Sequence, residues 1–439
     1  VSAAIEIGPG EFMGSGKVNF SSMVLLGILA LSGLAGAQTE STLWQFTETT
    51  NFWPQGGLLE DSLGNLYGTA KGGGAYGVGA VYELSPPAKS GGAWTQTVLY
   101  NFPSYGNTGY VPSSELTADS VGNFYGTTFV GGDAVCGCGV VYELSPPAVK
   151  GGPWTEAVLY AFKSQNDGRL PVAALVFGSG GAIYGVTEQG GAYDSGVIFQ
   201  LLPGTGGAYS ESVMYSFGNL GDGGAPNGPV VLDSSGALYG VTSLGGTFNQ
   251  GTVYKFTPPA KAGGSGTEQI IYSFGGGTLK NGITPVGNLV FDSGGNLYGV
   301  TNAGGGNSSN SDGVVYELTP GKSTWTETIL YTFAKASGIN PQAGLTWNPA
   351  TGALFGTTTN QNGLATGSGS VFQLAPPTAK GGKWTESTIY QFVYANDGGY
   401  PAGRITRDPN TGTIYGTAAE GGLRNCDLFC GTVWQVVNP

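Results

Sequence analysis

Gly72, Gly74 and Gly77 stand as G-x-G-x-x-G after the strand-like run Leu66-Tyr67-Gly68-Thr69, the order in which a dinucleotide fold offers backbone N–H groups to a pyrophosphate. That chemistry needs a helix after the third glycine, and Gly77 leads instead into Val78-Gly79-Ala80-Val81-Tyr82, another strand. The pair Gly72-Gly73 recurs along the chain while the full pattern does not, so the phosphate-loop reading fails. Two close pairs of thiols come next: Cys136 with Cys138, and Cys426 with Cys430. In an exported chain these are expected as local disulfides. A four-thiolate metal site, or bridges between the two loops, stays open if the fold brings the loops together. Carboxylates form a third set. Asp167, Asp222 and Asp397 each precede a glycine a few residues before a proline. Gathered at one mouth, such groups suit a hard cation such as Ca2+, or an acid/base pair acting on a glycan. Asp-Gly also simply makes a tight turn. No cofactor is expected from these motifs.

What must position these residues is a repeat. An aromatic-glycine pair returns at Tyr67, Tyr125, Tyr184, Tyr239, Tyr298, Phe355 and Tyr415, at gaps of 58, 59, 55, 59, 57 and 60 residues. A proline stands 13 or 14 residues before each: Pro54, Pro112, Pro171, Pro226, Pro285, Pro341 and Pro401. Each copy holds four strand-length segments, P-x-x-x-L-x-x-D, N-L-Y-G-T-T, G-x-V-Y-E-L and W-T-E-T-x-L-Y-x-F, and none has a helical period. Four strands per unit in radial repetition predict an all-β fold, a seven-bladed β-propeller with four antiparallel strands per blade. The chain opens on a fourth-type strand, residues 39–46, and closes on a third-type strand. The N-terminal strand is therefore expected to complete the last blade beside Gly431 to Val437.

These residues resemble the tandem repeat of the GloVer-repeat, choice-of-anchor family of exported bacterial proteins. N-L-Y-G-T-T, then G-G, then G-x-V-Y-E-L-x-P carries the resemblance over nearly all of residues 39–437. It implies a propeller on an exported protein and brings no activity with it. The family's C-terminal anchoring segments have no counterpart after Asn438-Pro439, so release rather than attachment is expected.

Departures from the repeat are the sharper clues, because folding alone does not ask for them. Three residues after the proline most copies carry Gly, Ala, Pro or Asn, but copy two has Glu115 and copy seven has Arg404. Both belong to strands expected innermost, on either side of blade one. They read as a salt bridge, or as a charged pair that orients a polar ligand. Trp53, Tyr400, Tyr110 and Arg169 lie just before the prolines and would offer a sugar an apolar face and hydrogen bonds.

Composition narrows the rest. The 439 residues carry a formal charge of −12, which disfavours nucleic acid and anionic membrane partners. Histidine is absent, so a Ser-His-Asp triad and every histidine metal site are excluded. From Met13 one lysine, an apolar run from Met23 to Leu34 and Ala35-Gly36-Ala37 read as a signal peptide over residues 13–37. Residues 1–12 precede it as an upstream remnant, and residues 38–439 are expected as a single monomeric propeller with no transmembrane segment. The expected location is secreted or periplasmic. The expected function is a binding or interaction module for an extracellular glycan or protein. Alternatives are a histidine-independent polysaccharide hydrolase or lyase using carboxylates or a Tyr/Arg pair, and a purely structural surface protein.

Overall fold

The computed structural model describes residues 39–47, 51–89, 91–104, 106, 108–163, 166–218, 221–259, 265–276, 279–306, 312–334, 338–360, 368–379, 381–393, 397–422 and 430–437. The expected signal peptide and the remnant before it lie outside these residues. The described residues form seven antiparallel sheets in a ring, the seven-bladed propeller expected from the repeat. In the first blade the order from the channel outward is Asn51–Pro54, Leu66–Gly73, Ala80–Ser85 and Thr95–Asn101. The last blade takes its outer strand from the other end of the chain: Thr39–Gln45 pairs with Thr432–Val437, from Thr39 opposite Val437 to Gln45 opposite Thr432.

Local chemistry explains each strand. The D-S-x-G-N turn is tied by its aspartate. Asp61 Oδ1 accepts from the Leu63 and Asn65 N–H groups at 2.8 and 2.9 Å, and Asp61 Oδ2 accepts from the Tyr67 hydroxyl at 3.0 Å. The glycine of the aromatic-glycine pair leaves room for a ring. Gly68 pairs across the sheet with Tyr82, whose ring occupies the space a side chain there would fill. The innermost strand differs from expectation, because the proline stands in its middle rather than at its start. Pro54 pairs with Ala70 and Leu59 pairs with Tyr67, so four inner residues, 55–58, face two on the neighbouring strand. Proline has no N–H to continue the ladder, and the extra residues bulge into the channel.

The core lies between blades rather than at the hub. Each of seven apolar clusters is shared by two neighbouring blades, Phe102, Val81 and Tyr142 joining the first to the second. In each junction a phenylalanine of one outer strand meets an aromatic of the next blade edge-on. Ring centroids are 5.2 Å apart for Phe102–Tyr142, 5.0 Å for Phe217–Tyr254 and 5.1 Å for Phe46–Tyr82. The Phe46–Tyr82 pair spans the join between the last blade and the first.

A second device locks the blades nearer the channel. The residue before every proline has a left-handed backbone: Trp53, Val111, Leu170, Ala225, Thr284, Asn340 and Tyr400, with φ from 51° to 69°. Such a conformation is costly for β-branched Val111 and Thr284, yet it recurs in all seven blades. It turns the N–H toward the preceding blade. Val111 N–H donates to the Val78 carbonyl at 2.8 Å, Leu170 to Cys138 at 2.9 Å and Ala225 to Ser195 at 2.8 Å. The next residue of the preceding blade is glycine, and the following proline packs on it. A Cβ on Gly196 would stand 2.6 Å from Pro226 Cδ and press on the Thr187 carbonyl oxygen, at a φ of +96°. Gly196→Ala therefore loses about 3 kcal/mol of stability, read as a lower urea midpoint at unchanged slope.

Candidate functional site

The bulged residues after the prolines line a cavity of about 360 Å³ at the centre of the ring, with contributions from all seven blades. Gln55 and Gly57 come from blade one, Ser113 and Glu115 from blade two, Asn227 from blade four, Asn288 from blade five, Gln342 from blade six and Arg404 from blade seven. Gly57, Ala173, Ala174, Gly287, Ala343 and Gly403 on the same wall are small and keep the centre open.

Glu115 and Arg404 meet across blade one. Arg404 Nε donates to Glu115 Oε2 at 3.0 Å, and Arg404 Nη2 donates to Oε1. Gly57 makes the fork possible, since a Cβ there would stand 2.7 Å from the carboxylate oxygen. The carboxylate beside it holds the guanidinium even more firmly protonated than usual. The glutamate side chain is 12% exposed and the arginine 38%, so the pair is sheltered without being dry. Glu115→Gln leaves the guanidinium without its counter-charge, and unfolding free energy falls by about 2 kcal/mol. Adding Arg404→Gln restores part of that loss, which a double-mutant cycle in urea measures.

The other sequence candidates lie elsewhere. Asp167, Asp222 and Asp397 are absent from the cavity wall and are occupied in closing loops. Asp167 Oδ2 accepts from Tyr160 Oη and from Lys163 N–H, both at 2.9 Å. Asp222 accepts from Tyr215 Oη at 2.7 Å and Gly218 N–H at 2.9 Å. Asp397 accepts from Val393 N–H at 2.7 Å and from the Tyr390 hydroxyl. Arg169 forms a fork with Asp194 of its own blade at 3.2 and 2.9 Å. Tyr110 packs in the junction between blades one and two. Trp53 contributes its backbone to the blade joint. Tyr400 reaches the cavity wall, donating from its hydroxyl to Gln342 Oε1 at 3.2 Å.

Cys136 and Cys138 are joined to one another. Cys138 offers the carbonyl that Leu170 N–H takes, and Cys430 offers the equivalent carbonyl to Trp53 N–H at 3.3 Å, so each of these two cysteines stands at a blade joint. Cys430 is buried, and its expected partner Cys426 lies outside the described residues. Among the described residues no three His, Cys, Asp or Glu side chains gather in a metal-holding cluster.

Two charged residues on the wall escaped the sequence reading, Lys71 and Glu188. Both stand four residues after the aromatic of the aromatic-glycine pair, where the other blades have Phe129, Ser243, Asn302, Thr359 and Ala419. The position lies one strand further out than Glu115 and Arg404 and carries a different residue in every copy, so no constant residue marks a departure there. Neither forms an ion pair among the described residues, and burial pulls the Lys71 ammonium below the usual lysine range.

Among solved structures, the chain is similar to a Mycobacterium tuberculosis puromycin-hydrolysing peptidase at 11% identity and a TM-score of 0.51, over 89% of this chain and 54% of that one. It is also similar to a Xanthomonas campestris gluconolactonase at 12% identity and a TM-score of 0.39, over 92% and 90% of the two chains. Likeness at these identities shows the fold alone. No curated protein matches the sequence. A family model does, over residues 54–310 and 262–436. The chain belongs to the Gloeobacter/Verrucomicrobia repeat family.

Proposed function

We propose that this protein is an exported binding module that takes a hydroxyl-rich extracellular ligand, a glycan, in the central cavity. The observation that carries the reading is the wall itself, where the blades stop repeating. A scaffold needs the joint glycines and prolines in every blade, but no blade joint calls for Lys71 and Glu188, which converge on one cavity with the Glu115–Arg404 pair. The cavity volume falls at the lower end of the range for small-molecule sites. Gln55, Gln342, Asn227 and Asn288 add amide donors and acceptors around it. Ser113 Oγ, Asn227 Oδ1 and Asn288 Oδ1 are buried without a hydrogen-bond partner among the described residues, and small side-chain rotations would offer them to ligand hydroxyls.

The two cavity acids do not support a glycoside-hydrolase reading. Glu115 has both oxygens bound to Arg404, which leaves it unsuited to moving a proton. A glycan array followed by product analysis on each hit tests the proposal. Binding that Arg404→Gln or Gln55→Ala weakens, with the saccharide recovered intact, is the expected result. Turnover of the bound saccharide would replace the binding module with an enzyme, and binding untouched by cavity substitutions would move the site elsewhere.

A further inference from the structure

Blades one, two and three present Lys71, Phe129 and Glu188 at the same position of the second strand, and all three line the cavity. A cation, an aromatic ring and an acid thus stand on consecutive blades at one level. At the equivalent position in blades four, five and six the side chain or backbone serves the blade or its joint with the next. Ser243 Oγ donates to the Ala225 carbonyl at 3.0 Å, Thr359 Oγ1 donates to the Asn340 carbonyl at 3.0 Å, and Asn340 Nδ2 donates to the Asn302 carbonyl at 3.0 Å. The sector around Lys71 has been released from that duty.

Lys71 is also unlike the paired cations elsewhere in the described residues. Arg404 has Glu115, Arg169 has Asp194, and Lys255 has Asp233 at 3.9 Å and the face of Tyr239. Lys71 is half-buried with no acid and no hydrogen-bond acceptor of its own among the described residues, and burial alone accounts for its lowered pKa. An ammonium held this way costs stability until an anion enters beside it.

We infer that the ligand is an acidic saccharide whose carboxylate binds Lys71, with its ring against Phe129 and its hydroxyls donating to Glu188. The inference rests on the glycan reading of the cavity and names the class of glycan. A uronic acid satisfies the three side chains together: its carboxylate supplies the missing counter-charge, its C–H face covers Phe129, and its hydroxyls serve an unpaired carboxylate. A neutral sugar leaves Lys71 buried and unpaired.

The test compares a uronic-acid tetrasaccharide with its methyl ester by calorimetry on the mature protein. Esterification removes the charge and keeps the sugar. The acid is expected to bind at least about tenfold more tightly than the ester, with the preference shrinking as salt rises. Lys71→Gln removes the preference, whereas Lys71→Arg retains it. Lys71→Gln also keeps its folded circular dichroism spectrum, because it deletes a charge that no protein group balances. As a second readout, an amine-reactive label on Lys71 is blocked by the acid and not by the ester. Equal binding of acid and ester, unmoved by Lys71→Gln, overturns the role of Lys71 while the glycan reading stands. If neither saccharide binds and a zwitterionic amino acid bridges Lys71 and Glu188 instead, both fall.

Discussion

Removal of the N-terminal strand, Thr39–Gln45 together with Phe46, costs at least about 5 kcal/mol, and the ring no longer unfolds as one unit. Thr39–Gln45 supplies the outer strand of the last blade, and its loss bares the edge of Thr432–Val437. Phe46 is fully buried, packs edge-on against Tyr82 of the first blade, and donates its N–H to the Gly431 carbonyl at 3.1 Å. The strand therefore holds one of the seven blade junctions, and that junction is the one between the two ends of the chain. Truncation is expected to lower the urea midpoint and to let protease cut first in blades one and seven. A synthetic peptide of residues 39–46 added in trans restores protection by pairing with the open edge. Phe46→Ala separates the two contributions, since it keeps the ladder and empties the junction for about 3 kcal/mol or more. A truncated protein with an unchanged midpoint would refute closure by this strand.

The ring and its closure were legible because each rests on a side-chain type repeated in every copy. The aromatic-glycine pair, the proline and the terminal Phe announce four strands per unit, and a fourth-type strand at the start of the chain has only one place to go. What each repeated residue touches was not legible, because its partner belongs to another strand of the blade or to the neighbouring blade, and only the assembled ring brings the two together. Asp167-Gly168 reads as a turn or as a ligand; its tie to Tyr160 of the preceding blade appears only once the blades are stacked. Arg169 likewise reads as a free cation until Asp194 folds beneath it. Lys71 and Glu188 illustrate a different blindness. Their position is variable in every copy, so a departure there has no constant background to stand out from. Glu115 and Arg404 interrupt a run of small and neutral residues, and were found for that reason.

The second large effect is a fall in stability from pH 5 to pH 8, set by glutamates at the outer blade junctions. Six of the seven outer strands carry a glutamate near their start, and its carboxyl lies toward a tyrosine of the preceding blade. Tyr272 Oη donates to Glu327 Oε2 at 2.7 Å and Tyr331 Oη to Glu386 Oε2 at 3.3 Å. Burial, with Asp397 beside Glu40, Asp167 beside Glu211 and Asp222 beside Glu268, raises the first three carboxyls to about 7. Glu327 reaches about 7 through burial, opposed by Tyr272. Glu156 and Glu386 are raised as well, and the equivalent place in blade one is the neutral Gln96. A carboxyl whose pKa is higher in the folded state holds its proton more tightly there. Its stabilising share is complete below about pH 4.5 and disappears as pH climbs through about 7.

Hydrogen bonds oppose this trend at the acid end. They hold Asp61, Asp119, Asp233 and Asp408 below the usual aspartate range, so their share is present above about pH 4 and is lost below it. Stability therefore peaks between roughly pH 4 and pH 6. Each of Glu40, Glu211, Glu268 and Glu327 is only partly buried, and after solvent screening contributes about 1 kcal/mol to the decline. The four act at separate junctions and add to about 4 kcal/mol by pH 8. Urea midpoints at half-unit pH steps measure the curve. Glu211→Gln is expected to match the wild type at pH 5 and to exceed it at pH 8, because the amide keeps the shape of the side chain and cannot ionise beside Asp167. A flat midpoint between pH 5 and pH 8, or a Glu211→Gln variant that gains no advantage over the wild type between pH 5 and pH 8, would show that these carboxyls are charged at no cost in the folded ring.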